Sequence, residues 1–513
     1  MDLKIGAKGG RTGPEAAPDA YLPVLPLWLL RTAVAYLVAI KLLYSAIVPP
    51  DGDEAYYWLW GQHPQLSYLD HAPLVGWESF IGMHLLGWSP LALHFIPLVS
   101  FAIIALLLRL WARYLAPEHW QHFFWASLAI FLASPLMFAI STLLYPDEIL
   151  LPTSLLAMTL LALFLADWEK SIRRWHFLYL GAGFLGLALL AKYNGALVGL
   201  GFVLALALRP KLRPLFASPQ LYLAGLVTAL FLLPVLIWNL GHDFDGMRFH
   251  AVDRFENRGE GFSPLGVGVF LLESVLYLSP FLVWPLIKYL LARRLGGFAG
   301  AAHAMGRAML IASTLALTAL ASWTPAAGQV APHWNIVGLL PFVPLAALFI
   351  RSRWLLAAHL AYGAFIATLA MVYFGLAPLP MDALGFSDGE AVLTLGQDQL
   401  AIAARAEAKA QGADFIATLS YSSAAQLAFA AGSGNGITSI SPVLDQFDLW
   451  TDPASLAGKT ALVVIVWPGQ LDIAKGLFTS LQKVGDVTTQ RLGHRLWTFG
   501  LYVGHGYRPA PAS

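Results

Sequence analysis

Eleven stretches of this chain are long and apolar enough to cross a bilayer, near residues 24–48, 90–108, 122–141, 148–167, 176–191, 195–209, 221–240, 264–287, 307–323, 334–350 and 354–376. A hydrocarbon layer ~30 Å thick demands about 20 helical residues at ~1.5 Å each. Within it the backbone must satisfy its own hydrogen bonds, so spans made of these stretches are helices. Pro234, Pro280, Pro285, Pro341 and Pro344 fall inside several of them, so kinks are expected and counts of eleven to thirteen spans are compatible with the pattern. The rest of the composition agrees: 58% of the 513 residues are hydrophobic, 12% are charged, and the net charge is +1. Soluble domains carry about 25% charged residues. A soluble enzyme and a disordered chain are therefore excluded, and so is a nucleic-acid partner, for which there is no basic excess. With no cysteine, disulfides, thiolate metal sites and thiol nucleophiles are excluded as well.

Loop charge orients the spans. With the first twenty residues taken as a cytoplasmic tail, seventeen Lys and Arg side chains fall on the inner side and only Lys192, Arg248, Arg254 and Arg258 lie outside between spans. That is the direction of the positive-inside rule. The loops 49–89 and 241–263, the acidic turn near 142–147 and the loop 324–333 then share the outer face. From about residue 386 apolar runs shorten to strand length at 415–419 and 461–467, between helical stretches near 398–411, 422–431 and 472–483. The expected organisation is a transmembrane domain over 1–385 and a small external α/β domain over 386–513.

The chemistry-bearing residues gather on that face. Loop 49–89 contains no Lys or Arg, and its Asp53 and Glu54 stand ahead of an aromatic stretch that includes Tyr56 and Tyr57. Carboxylates without cationic partners at such a place suit a general base, although Asp51, Asp53 and Glu54 also spell a helix cap. Asp147 and Glu148 open another span after Pro146, where capping is the more ordinary reading. Asp70 and His71 precede an amphipathic stretch expected to lie along the interface, with Trp77 and Trp88 as anchors. His71 suits a phosphate or, with Asp70 or Asp147, a divalent metal. Lys192 lies in a short loop at headgroup depth, where an ammonium meets a lipid phosphate. Arg248, Arg254 and Arg258 offer planar forks for phosphate, although the acids around them can neutralise at least one. His333 and Trp334 add a titratable ring and an indole able to stack on a sugar. No glycine-rich nucleotide loop is present, so no nucleotide cofactor is expected.

Taken in order, Gly52-Asp-Glu-Ala-Tyr-Tyr-Trp, Leu69-Asp-His-Ala-Pro-Leu-Val-Gly-Trp, Tyr145-Pro-Asp-Glu, Ala191-Lys-Tyr-Asn-Gly, the 238–250 loop, Pro332-His-Trp and the tail segments at 421–429 and 446–450 resemble the GT-C class of integral-membrane glycosyltransferases. Within that class the pattern is similar to the group containing the protein O-mannosyltransferases and the bacterial lipid A aminoarabinose transferase. The resemblance implies a GT-C fold with a periplasmic C-terminal domain in a bacterial inner membrane. It implies a sugar donor on undecaprenyl phosphate or another polyprenyl phosphate, and a glycolipid or cell-envelope glycan acceptor such as lipid A. Asp53 corresponds to the catalytic acid and Asp147 to the second external acid. Where the aminoarabinose branch has a Glu-Lys-Pro-Pro element at the lipid phosphate, this chain has Asp70-His71-Ala72-Pro73. Where that branch has an arginine three residues after the catalytic acid, this chain has Tyr56. Phosphate binding is then expected to move to Lys192 and the 248–258 arginines, with Tyr56, Tyr57, Asp70, His333 and Trp334 around the sugar or acceptor. Inverting transfer is the expected reaction. Protein O-glycosylation and transport of a lipid or sugar are the rival readings.

Overall fold

A computed structural model describes residues 24–251, 262–293, 295–323, 330–376 and 393–509. The N-terminal tail, Arg254, Arg258 and the expected domain boundary near 385 lie outside the described residues. All eleven apolar stretches carry helix, but few do so as one straight rod. Among the described residues, five helices are long and apolar enough to span: α1 (Leu27–Ile47), α4 (Pro90–Leu115), α7 (Pro146–Glu169), Gly297–Ser322 and Arg353–Leu376. Three bent pairs raise the number to eight, with angles of 112° at Tyr193–Leu208 and Pro210–Ala217, 48° at Pro219–Leu230 and Leu233–Leu240, and 89° at Pro264–Leu278 and Pro280–Leu291.

The shortfall from eleven has a local cause. Proline lacks an N–H and clashes with the preceding turn, so Pro135 splits one stretch into α5 (Trp120–Ala133) and α6 (Pro135–Ile140). Pro341 divides another into Ile336–Leu339 and Phe342–Ala346. The remaining stretch, α8 (Trp175–Ala191), has only 17 residues. The chain is a multi-pass membrane protein whose helices are interrupted on the way across.

Helix α7 is the centre of the bundle, buried almost continuously from Pro146 to Ala166. Thr159 accepts the indole N–H of Trp111 at 2.7 Å, which ties α4 to α7. Glycines let neighbours approach: a Cβ on Gly181 would meet Leu161 at 2.8 Å. Lys41, fully buried in α1, donates to the carbonyl of Phe138 at 3.1 Å and to Ser141 and Thr142. A cation there complements the carbonyl end of α6, whose terminus would otherwise be unsatisfied in a dry interior.

On one end of the bundle sit two short helices, α2 (Gly52–Trp60) and α3 (Leu74–Leu86), and above them the C-terminal domain. Its five-stranded sheet has the order β2-β1-β3-β5-β4. Strands β1 (Phe415–Thr418), β2 (Ile437–Ser439) and β3 (Ala461–Ile465) run parallel, while β5 (His494–Tyr507) is antiparallel to both β3 and β4 (Phe478–Arg491). The expected strands and the helices Gln397–Ala410 and Tyr421–Ala430 are present. The helix expected near 472–483 stops at Leu477, and its last part is the start of β4. The β-branched residues of 479–489 favour an extended chain, and Leu492 and Gly493, both with positive φ, close the hairpin as a two-residue turn requires.

The domain is fixed to the bundle by polar contacts across the interface. The Gln446 side chain accepts the backbone N–H of Leu69 at 2.8 Å, its backbone N–H donates to the Tyr56 hydroxyl at 3.1 Å, and the side-chain Oε1 of Gln62 accepts the backbone N–H of Gly434 at 3.1 Å. Trp88, expected as a lipid anchor, instead donates its indole N–H to the carbonyl of Phe429 at 2.8 Å.

Asp445 begins the docking segment, its Oδ1 accepting from the N–H of Phe447 at 2.9 Å. Burial pushes its carboxyl up to about 7, against a hydrogen bond from Ser439 and with the help of the nearby Asp448 charge. The folded state therefore holds this proton more tightly than the unfolded chain does. Stability from this group is full below about pH 4 and is lost as pH rises through about 7. Asp445→Asn should flatten the decline in melting temperature measured between about pH 5 and about pH 8; an unchanged slope would assign the dependence to other groups.

Candidate active site

The site is built on the N-terminus of α2. Asp51 is its N-cap, and it forms a capping box with Glu54: Asp51 Oδ1 accepts the N–H of Glu54 at 2.9 Å, and Glu54 Oε2 accepts the N–H of Asp51 at 3.3 Å. This arrangement satisfies the orphan donors of a first turn. Glu54 Oε1 also accepts from the N–H of Leu144 at 2.8 Å and lies 3.1 Å from Nε2 of His94 in α4. Both oxygens of the buried Glu54 are thus engaged by the scaffold, which leaves the catalytic role expected of it without a free atom. Asp51 Oδ2 accepts the Tyr145 hydroxyl at 2.7 Å.

Asp53 has none of these duties. It is half-buried, and its Oδ1 accepts the Tyr421 hydroxyl of the C-terminal domain at 3.0 Å. Burial holds its carboxyl above the usual aspartate range. The Tyr421 hydrogen bond opposes that rise, Glu54 reinforces it, and the Lys192 charge opposes it. The carboxylate opens on a polar cavity of about 240 Å³ lined by Asp51, Asp53, Tyr145, Thr394, Tyr421 and Trp467 among others.

Asp147 lies buried at the first turn of α7, its Oδ2 bonded to Nζ of Lys192 at 2.7 Å. Its Oδ1 is buried and has no hydrogen-bond partner among the described residues. The neighbouring Glu148 turns toward Glu78 of α3 and Ser100 of α4. Lys192 ends α8 in an extended conformation and is itself buried, so the cation expected at the headgroups is held inside the site. Tyr57 joins the groups: Asp53, Asp70 and Asp147 all bear on its buried hydroxyl, and its ring meets His71 edge-on at 5.6 Å and Tyr145 at 6.1 Å. Asp53, Asp70, His71, Asp147 and Lys192 therefore lie around one site.

Other expected residues fall elsewhere. Tyr56 is buried in an aromatic cluster with Tyr421, Phe447 and Trp450, so it holds the domains together and is not a sugar contact. The turn Pro332–Asn335 reaches the Lys192 loop, because Asn194 donates to the carbonyl of Trp334 at 3.0 Å. That places His333 beside the loop, while Trp334 packs against Phe270, Ala321 and Val330. Arg248 is exposed on the helix Asp245–Ala251. As for a divalent ion, no three His, Asp or Glu side chains converge among the described residues, and Asp147 is taken by Lys192.

Beside the charged site lies an apolar cavity of about 550 Å³, lined by Leu189, Tyr193, Leu232, Val235, Leu236, Gly246 and Met247. It is an open cleft bordered by α8, the bent pair Pro219–Leu230 and Leu233–Leu240, and the short helix after them. Tyr193, the residue next to Lys192, is part of its wall.

Comparisons with known proteins agree with this architecture. The profile of the dolichyl-phosphate-mannose-protein mannosyltransferase family matches residues 70–238. The lipid A galacturonosyltransferase RgtD of Rhizobium johnstonii is 26% identical over 372 residues, which are 71% of this chain and 74% of that protein. The crystal structure of ArnT from Cupriavidus metallidurans in the apo state superposes with a TM-score of 0.61 at 15% identity, covering 93% of this chain and 97% of that one. The chain has the GT-C fold of a membrane glycosyltransferase. The same ArnT bound to undecaprenyl phosphate superposes with a TM-score of 0.59 at 14% identity, covering 93% of the enzyme and 98% of ArnT.

Three contacts of the enzyme escaped the sequence reading. His94 sits inside an apolar helix, where a lone histidine signals only that it needs partners. Tyr145 and Tyr421 donate to acids 94 and 368 positions away, and no local pattern encodes such distances.

Proposed function

We propose that this glycosyltransferase moves a sugar from a polyprenyl phosphate to lipid A with inversion at the anomeric carbon. The observation that carries the reading is the placement of Lys192, paired with Asp147 and near enough for its charge to act on Asp53, while its neighbour Tyr193 lines the apolar cavity. A phosphate with a long apolar tail needs a cation at the mouth of such a cavity. The ArnT complex with undecaprenyl phosphate and the lipid A specificity in the name of RgtD support donor and acceptor respectively.

In the proposed step an acceptor oxygen attacks the anomeric carbon as the bond from that carbon to the phosphate oxygen breaks. The bonding electron pair leaves with the polyprenyl phosphate. Asp53 takes the proton of an acceptor hydroxyl. If the acceptor is already a phosphate oxygen, no proton moves, and ionised Asp53 steadies positive charge growing on the sugar. Lys192, held in place by Asp147, meets the negative charge growing on the leaving phosphate, an electrostatic role for a preorganised cation. The charge bias of the loops supports an enzyme of the bacterial inner membrane with this site on the periplasmic side.

The test is direct. Purified enzyme in lipid nanodiscs is supplied with lipid A and undecaprenyl-phosphate donors carrying a neutral hexose, an amino sugar or a uronic acid. Mass spectrometry should show lipid A gaining one of these sugars, and NMR should show the opposite anomeric configuration in the product. Transfer to a serine or threonine peptide with none to lipid A would replace the acceptor by protein, and retained configuration would overturn the single displacement.

A further inference from the structure

We propose that Tyr421, supplied by the C-terminal domain, is a positioning residue for Asp53. The inference rests on the reading of Asp53 as the reacting carboxylate and assigns a role to a residue far outside the external loops of the bundle.

Tyr421 opens the helix Tyr421–Ala430, and its phenol donates to Asp53 Oδ1 at 3.0 Å. Asp53 has no other side-chain hydrogen bond among the described residues. One oxygen is therefore held, and Oδ2 carries no such bond, on a residue that lines the cavity. A carboxylate gripped at one oxygen keeps a single orientation, which is what a reacting group requires to remain within reach of its target.

The donor is itself held from several sides. Its ring packs on Tyr56 at 4.7 Å, and the Tyr56 hydroxyl accepts from the backbone of Gln446. At the far end of the same helix, Phe429 accepts from Trp88. The backbones also meet closely, since a Cβ on Gly52 would lie 2.5 Å from Cβ of Ser422. The residue before Asp53 is thus pressed against the turn that carries Tyr421. Burial first, and then the charge of Asp53, keep the phenol protonated far above its ordinary range, so it remains a donor at every working pH.

Asp51 and Glu54 on the same helix, Tyr57, Tyr145, Lys192 and Tyr421 are the titratable groups that face Asp53. Of these only Tyr421 hydrogen-bonds to it. A hydrogen bond to the ionised form favours that form, and both versions of the proposed step need Asp53 ionised.

Tyr421→Phe keeps the ring and removes the donor. In the lipid A transfer assay, kcat should fall about tenfold with KM for the lipid-phosphate sugar unchanged, and the acid limb of the pH–kcat profile should move to higher pH. Tyr421→3-fluorotyrosine keeps the hydroxyl, strengthens it as a donor and should move that limb to lower pH. This second variant carries the test if the phenylalanine protein fails to fold. Acid limbs superimposable on that of the unmodified enzyme would overturn the positioning role, whatever the rate. Asp53→Asn run alongside separates the two claims. An inactive Asn variant with an unmoved limb at 421 removes Tyr421 alone, whereas an active Asn variant removes Asp53 and Tyr421 together.

Discussion

Asp53→Asn is expected to lower sugar transfer by about a thousandfold, the middle of the range for losing a positioned acid–base group, while the protein folds normally. The amide is isosteric with the carboxylate and its oxygen can still accept the Tyr421 hydroxyl. Cap, helix and domain contacts survive, because Asp51 and Glu54 provide the capping box. What disappears is the charge. An amide can neither take a proton from an acceptor hydroxyl nor offset positive charge on the sugar. The pH profile of the unmodified enzyme makes the same point from another side. Burial holds Asp53 above the ordinary aspartate range, so activity should rise with pH through a limb displaced upward from about 3.9. Wild-type turnover by a folded Asn variant with unchanged melting temperature would remove Asp53 from the mechanism.

The second large effect belongs to Lys192. Replacing it by Met leaves Asp147 buried with neither oxygen paired, and breaking a buried pair from one side costs about 3–5 kcal/mol. Lys192→Met should therefore melt well below the wild type and should also lose donor turnover. Stability and catalysis are separated by adding Asp147→Asn, which removes the stranded charge. The double variant should regain most of the stability and stay at least about a hundredfold below wild type in kcat/KM for the lipid-phosphate sugar, a deficit of about 2.7 kcal/mol in transition-state binding. Recovery of activity together with stability would make the lysine a structural counter-ion and no more.

The positions of the spans were legible because apolar runs of bilayer length have few other uses. Their continuity was less so, since whether Pro135, Pro280 or Pro341 bends a helix or breaks it depends on the neighbours that satisfy the freed carbonyls. Asp53 and Asp147 could be placed at one end of the bundle from the alternation of spans alone. The different fates of adjacent acids could not. Asp53 and Glu54 differ by about 100° around a nine-residue helix, which sends one toward the cavity and the other toward His94. The helical pattern read through 472–483 failed at Phe478, where pairing with β5 outweighs local propensity. Tyr421 was visible only as part of a tail motif, because its meaning depends on a fold that returns the chain over its own beginning.

Helix α2 is buried at every residue from Glu54 to Trp60, its aromatic side chains shared between the membrane bundle and the sheet domain above. Such a segment is a keystone: it has no solvent-facing side on which to rest if either neighbour is withdrawn. A shortened chain ending before residue 393 would bare a band of tyrosine and tryptophan at the water boundary. Exchange of the outer domain with that of a relative would have to carry a matching α2 along with it. The two halves of this enzyme are bound to change as a pair.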